Sequence, residues 1–195
     1  MQKSKSDIDR RKRRRRRRLQ VVVIYTAIAV GLAWFFELQA TTTVIFVRHA
    51  ERAALPADDP GLSEAGKSRA AELARQLVDA DVIAGIDAIY STSYRRTEET
   101  VKPVAVALDL PINSYDADNT ETVMDQIVRD HKGQIILVVG HSNTVPALIG
   151  NMGASKNVPE IAENEYDNIY IVSVPWFGKT KTIRLRYGMP YVVAE

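Results

Sequence analysis

Thr43-Val44-Ile45-Phe46-Val47-Arg48-His49-Ala50-Glu51-Arg52 is the stretch on which the reading of this chain turns. Its β-branched and aromatic residues predict a buried strand, and the strand stops at a polar run that includes Arg48, His49, Glu51 and Arg52. In an open α/β sheet the carboxyl ends of the strands are where ligands bind. An arginine beside a histidine suits an anion, since guanidinium offers a fixed fork of donors and imidazole a nucleophilic nitrogen. A strand running out into a solvated loop fits the same residues, so the rest of the chain decides.

Downstream, Leu62-Ser63-Glu64-Ala65-Gly66 opens a helix with Ser63 as N-cap and Ala70, Leu73, Ala74 and Leu77 at helical spacing. Ile86 to Tyr90 predicts a second strand, leading into Ser91-Thr92-Ser93-Tyr94-Arg95-Arg96-Thr97-Glu98-Glu99-Thr100 and a helix to about Leu108. Pro111 to Tyr115 reads as a short strand. Thr120 to His131 reads as a helix with Val123, Ile127 and Val128 inward, and His131 as its solvated end. Gln134 to Gly140 is the most apolar strand after the N-terminal segment and stops at His141-Ser142-Asn143-Thr144, ahead of a helix over Val145 to Ile149. Asn168 to Val174 and Lys181 to Tyr187 predict a β-hairpin around Pro175-Trp176-Phe177-Gly178. Strands alternating with helices predict a three-layer α/β/α domain with a mainly parallel sheet, preceded by one transmembrane helix.

Gly61-Leu62-Ser63-Glu64-Ala65-Gly66-Lys67-Ser68 fits the phosphate-loop pattern G-x-x-x-x-G-K-[ST]. Its context does not, because Asp58-Asp59-Pro60 cannot end a central strand.

The N-terminus carries its own message. Residues 1–18 hold eleven Lys and Arg against Asp7 and Asp9, a net of +9, which leaves −7 for the rest of a chain whose total is +2. Leu19 to Phe36 is then eighteen residues without a charge; at about 1.5 Å per residue this is roughly 27 Å, near the hydrocarbon thickness of a bilayer. The reading is a basic cytoplasmic tail at 1–18, a transmembrane helix or signal anchor at 19–37, and a catalytic domain at 41–195. The positive-inside rule puts that domain on the extracytoplasmic side, and Trp34, Phe35 and Phe36 fall where an interfacial belt lies. Leu38-Gln39-Ala40 offers a cleaved signal peptide as the competitor. The arginine run then serves as a topology signal and anionic-lipid contact, and nucleic-acid binding is not expected. The chain of 195 residues has no cysteine, so thiolate chemistry and disulfides are excluded.

Three predicted strands end in Arg48-His49, Arg95-Arg96 and His141, and in a parallel sheet their carboxyl ends share one edge. Arginines and histidines around one point make a pocket for a doubly charged tetrahedral anion, a phosphate monoester. One imidazole there can attack phosphorus while the arginines neutralise the transferring oxygens, and no metal or other cofactor is called for.

These residues resemble the histidine phosphatase superfamily, also called phosphoglycerate-mutase-like. Val47-Arg48-His49-Ala50-Glu51 is similar to its R-H-G/A signature, and Leu62 to Gly66 to its L-[ST]-x-x-G helix start. Ser91 to Thr100 is similar to its S-S-x-L-x-R-A-x-x-T segment, and Val138-Val139-Gly140-His141 to its second-histidine strand. The resemblance implies that His49 is the nucleophile that becomes phosphorylated. It implies that Arg48 and Arg96, not Arg95, bind phosphate, and that His141 contacts and stabilises the transferring group.

The family's G-x-x-E-G-like stretch, which carries a proton-donating glutamate, is missing. Glu121 is ranked first as the acid because it lies in the right interval; Asp118 and Glu51, beside the nucleophile, are alternatives. Asn143 is expected to cap the following helix or to touch substrate. The expected activity is metal-independent hydrolysis of a small phosphorylated substrate, conceivably lipid-linked or envelope-derived because the span ends so near the domain. A non-catalytic, membrane-anchored protein that binds a phospho-ligand stays open, whereas a mutase fits the predicted topology poorly.

Overall fold

The computed structural model describes residues 5–38, 41–78, 85–154 and 157–188. The chain divides into two units, Met1–Gln39 and Ala40–Glu195. Residues 1–4 of the basic tail, Gln39-Ala40 of the cleavage-site alternative, and 79–84, 155–156 and 189–195 of the domain lie outside the described residues.

In the first unit, α1 (Lys5–Leu38) is a single helix. Arginine, leucine and alanine are good helix formers, and the stretch holds no proline to break it. Its stretch Arg10–Phe36 is long and apolar enough to cross a membrane, and its apolar side chains from Leu19 to Phe36 are exposed.

The second unit is a six-stranded sheet. The elements follow in the order β1 (Thr41–Arg48), α2 (Glu64–Val78), β2 (Ala88–Thr92), α3 (Arg95–Leu108), β3 (Ile112–Tyr115), α4 (Thr120–Asp130), β4 (Ile135–Gly140), α5 (Thr144–Asn151), β5 (Asn168–Pro175) and β6 (Lys181–Arg186). Across the sheet the order is β3-β2-β4-β1-β5-β6. β1, β4, β2 and β3 run parallel, while β5 lies antiparallel to β1 and pairs antiparallel with β6. The predicted strand over Ile86 to Tyr90 is displaced toward Thr92, because Asp87 caps the neighbouring strand: its carboxylate accepts from the Ile135 N–H at 2.8 Å.

Helices cover both faces, which explains why β1 reads as a continuous apolar run rather than an alternating one. Val44 and Phe46 join Ile136, Val138, Met124, Ile127, Leu148 and Ile149 in one core layer. Ile45 and Val47 join Leu137, Val139, Leu73, Val101 and Val104 in the other. β1 and β4 thus each feed two cores by simple alternation.

Ser63 caps α2 as expected, its Oγ accepting from the Gly66 N–H at 3.1 Å. Gly66 is required by a close approach, since a Cβ there would collide with the Glu51 carbonyl oxygen. Lys67 of the phosphate-loop look-alike is an exposed side chain paired with Glu64. His131 is not a solvated helix end: it is half-buried, with Tyr90 Oη 2.8 Å from Nε2 and Gln134 Oε1 2.6 Å from Nδ1.

Candidate active site

The carboxyl ends of β1, β2 and β4 lie side by side, since Arg48 pairs with Gly140 and Ser91 with Val139. The polar residues that follow them therefore meet. A cavity of about 440 Å³ opens at this edge, lined by Arg48, His49, Arg52, Arg96, His141, Ser142, Asn143, Glu163, Asn164 and Tyr166.

His49 is buried directly after β1, and its Nδ1 lies 2.8 Å from the Ala50 carbonyl oxygen. A carbonyl only accepts, so Nδ1 carries the proton and Nε2 keeps its lone pair. Burial lowers the His49 pKa to about 3; the Ala50 hydrogen bond works against the shift, and Arg48, His141 and Arg96 reinforce it. The ring is a neutral imidazole held in one tautomer, with the lone pair on Nε2. The Ala50 N–H donates to Thr100 Oγ1 at 2.9 Å, and that hydroxyl donates to the Arg96 carbonyl at 2.6 Å. This ties the loop that carries His49 to α3.

The His141 ring centroid lies 5.3 Å from that of His49. Arg96 Nη2 approaches His141 Nδ1 at 3.5 Å, and Thr92 Oγ1 lies 3.1 Å from Nε2. Because guanidinium only donates, Nδ1 accepts and Nε2 donates to the threonine. Burial, with Arg96 and Arg48, lowers the His141 pKa to about 4. Arg96 also stacks over Tyr94 at 4.3 Å and faces Asp59 at 3.9 Å. Its neighbour Arg95 is exposed and pairs with Glu99 at 3.3 Å.

Arg48 is almost fully buried. Its Nη1 donates to the carbonyls of Ala162 at 2.7 Å and Glu165 at 3.1 Å, and its guanidinium lies 4.2 Å from the Tyr166 ring centre. Its Nε has no hydrogen-bond partner among the described residues. Burial lowers the Arg48 pKa, opposed chiefly by Tyr166 and Glu163. A buried guanidinium with a spare donor beside two neutral imidazoles and a second arginine is a site built for an oxyanion.

The structure thus brings together Arg48, His49, Arg96 and His141. Asn143 stands at the start of α5 without a side-chain cap bond, and lines the cavity instead. Thr144 Oγ1 accepts from the His141 N–H at 2.8 Å, which fixes the backbone of that histidine against the start of α5.

Glu51 and Glu121 are not among the cavity's lining residues. The Glu51 carboxylate is held by Arg69, with Nε at 2.8 and 3.0 Å and Nη2 at 2.8 Å. Glu121 is an exposed residue in the first turn of α4, which follows β3. β3 is the edge strand, three places from β1, or about 14 Å at ~4.8 Å per strand.

Sequence reading missed the wall formed by Glu163, Asn164 and Tyr166, whose ring centre lies 6.0 Å from that of His49. β5 is antiparallel, so its start, not its end, lies at this edge. The acidic run Glu160, Glu163, Glu165, Asp167 just before a strand was the available signal. Among the described residues no group of three or more His, Cys, Asp or Glu is placed to hold a metal ion.

A mainly parallel sheet between two helix layers, with Arg-His at the end of a central strand and a second histidine directly after the adjoining strand, defines a phosphoglycerate-mutase-like fold. Comparison with known proteins bears out the resemblance to the histidine phosphatase superfamily: residues 44–117 match the family model described as histidine phosphatase superfamily (branch 1). That segment contains Arg48, His49 and Arg96 and ends before His141.

Among solved structures, the protein histidine phosphatase SixA complexed with tungstate is similar at 19% identity and a TM-score of 0.60, over 74% of this chain and 96% of that one. A SixA from Agrobacterium tumefaciens, assigned as a phosphohistidine phosphatase, is similar at 24% identity and a TM-score of 0.53, over 76% of this chain and 98% of that one. A phosphoglycerate mutase from Plasmodium falciparum is similar at 15% identity and a TM-score of 0.55, over 80% of this chain and 98% of that one. At these identities the likeness is one of fold. A search of curated protein sequences gives no match.

Proposed function

We propose that this protein is a phosphatase that hydrolyses a phosphate monoester through a phosphohistidine on His49. The observation that carries the reading is the locked tautomer of His49: Nδ1 is bound to the Ala50 carbonyl, which leaves Nε2 as the nucleophile in a cavity also lined by Arg48, Arg96 and His141. The Nε2 lone pair attacks phosphorus as the ester P–O bond breaks, with Arg48, Arg96 and His141 binding the equatorial oxygens. Glu163 is the proton donor to the leaving oxygen. In support, it is the one carboxylate among the described residues lining the cavity. Water then attacks phosphorus as the P–N bond breaks, its proton passes to the Glu163 carboxylate, and phosphate leaves with the Nε2 lone pair restored.

The substrate is a small phosphorylated molecule, and α1 is a single-pass anchor with its basic end cytoplasmic and the domain on the extracytoplasmic side. A single introduced cysteine, in a chain that has none, reports that topology by labelling from one side only.

The activity is tested with residues 41–195 and an aryl phosphate, without added metal. Phosphate release together with an acid-labile phosphoryl adduct, both lost in His49→Ala, is the expected result. Turnover unchanged in that variant overturns the mechanism. Oxyanion binding with no adduct and no turnover assigns the pocket to a non-catalytic phospho-ligand binder.

A further inference from the structure

The hairpin between β5 and β6 ends in Trp176-Phe177-Gly178-Lys179, where Gly178 takes φ 120°, a conformation that favours glycine. Trp176 is 71% exposed and Phe177 91% exposed. This tip has a definite place in the sheet: Thr41, the first residue of β1, pairs with Pro175, the residue before Trp176. The tip therefore lies at the end of the sheet where the chain enters the domain. Exposed Lys179 and Lys181 flank it, and exposed Lys132 precedes β4 at the same end. Asp130 is also exposed there, and Asp87 is engaged with the Ile135 N–H.

Two adjacent exposed aromatic rings set among lysines match the boundary of a bilayer, where an indole or phenyl ring sits among headgroups and ammonium groups lie over anionic lipid. Connectivity selects the same partner. Only Gln39 and Ala40 separate the end of α1 from Thr41, so a spanning α1 delivers the chain into the domain within a few residues of the lipid surface. This step rests on the membrane-spanning reading of α1 proposed above.

We propose that the β5–β6 hairpin tip is a membrane-docking element. Trp176 and Phe177 enter the headgroup region, and Lys179, Lys181 and Lys132 lie against anionic lipid. Docking by this end fixes the direction of the catalytic edge. β1 runs from Thr41 at the docked end to Arg48 at the cavity, seven residue steps, or about 23 Å at ~3.3 Å per residue. The cavity then opens toward water on the side away from the bilayer, and its substrates are phosphate esters free in solution rather than lipid headgroups of the same leaflet.

The test uses the full chain carrying Trp34→Phe, which leaves Trp176 as the one tryptophan. The protein is reconstituted into vesicles of phosphatidylcholine with a minority of phosphatidylglycerol. The two leaflets are alike, so either direction of insertion reports docking. The expected result is quenching of Trp176 fluorescence by lipids brominated near the headgroup and shielding from acrylamide, both weakened by Phe177→Ser. Full acrylamide access with no bromolipid quenching, in protein that resists carbonate extraction, overturns docking while α1 still spans. Quenching in protein that carbonate strips away supports docking and removes the span. Extraction together with absent quenching overturns both.

Discussion

Acidification is expected to destabilise the domain through His49 and His141, the same histidines to which the proposed mechanism assigns its chemistry. His49 and His141 are 5% and 8% exposed, and burial first, then the neighbouring arginines, lowers their pKa values to about 3 and about 4. In the unfolded chain each returns to about 6.5. Between these limits the unfolded state binds protons that the folded state refuses, so stability is complete above about pH 6.5 and falls as the pH drops toward the folded values. At about pH 4.5 the pH lies roughly two units below the unfolded pKa of each imidazole, which costs about 2–3 kcal/mol per ring, slightly less for His141 because its folded form begins to protonate. Together the two rings remove about 5 kcal/mol from a stability that is typically about 5–15 kcal/mol.

The assay is urea unfolding of residues 41–195 at about pH 7.5 and about pH 4.5. His49→Asn should lose about 2–3 kcal/mol less than the parent between the two, since carboxylate contributions are common to both and cancel. Saturating phosphate at the lower pH should restore part of the loss, because an oxyanion stabilises the imidazolium. A His49→Asn domain that loses as much stability as the parent would refute the account of His49 as a buried neutral base.

Arg96→Ala should lower kcat/KM by about 10- to 100-fold, from the loss of a charge-assisted contact of about 1.5–3 kcal/mol, whereas Arg95→Ala should stay near the parent in the same steady-state assay. Glu163→Gln should slow hydrolysis of an alkyl phosphate far more than of an aryl phosphate with a good leaving group, and Glu121→Gln should change neither; equal slowing of both substrates would remove Glu163 as the acid. Gly66→Ala forces a Cβ against the Glu51 carbonyl and should cost about 1–3 kcal/mol by overpacking, read as a lower Tm with reduced turnover. Phe46→Ala, at a fully buried position, should cost about 3–5 kcal/mol in urea unfolding.

The candidate site was legible in sequence wherever a strand carried it. The unbroken apolar runs of β1 and β4 arise from burial on both faces, and parallel topology then brings Arg48-His49, Arg96 and His141 together. Lateral position was not legible. Glu121 falls in the expected interval of the chain, yet its helix follows the edge strand, and interval alone does not tell edge from centre. Glu51 neighbours the nucleophile in sequence but is held by Arg69, a partner eighteen residues away that only the packing of α2 supplies. The wall of Glu163, Asn164 and Tyr166 depends on the reversed direction of β5, which no periodicity announces.

The contacts between Arg48 and that wall bear on how such a site can change. Arg48 grips Ala162 and Glu165 by their backbone carbonyls, and a carbonyl is the same whatever side chain its residue bears. The segment can therefore exchange the side chains it presents to the cavity while its anchorage to Arg48 persists. Selectivity for the non-phosphate part of a ligand is free to drift, with the reaction centre held constant.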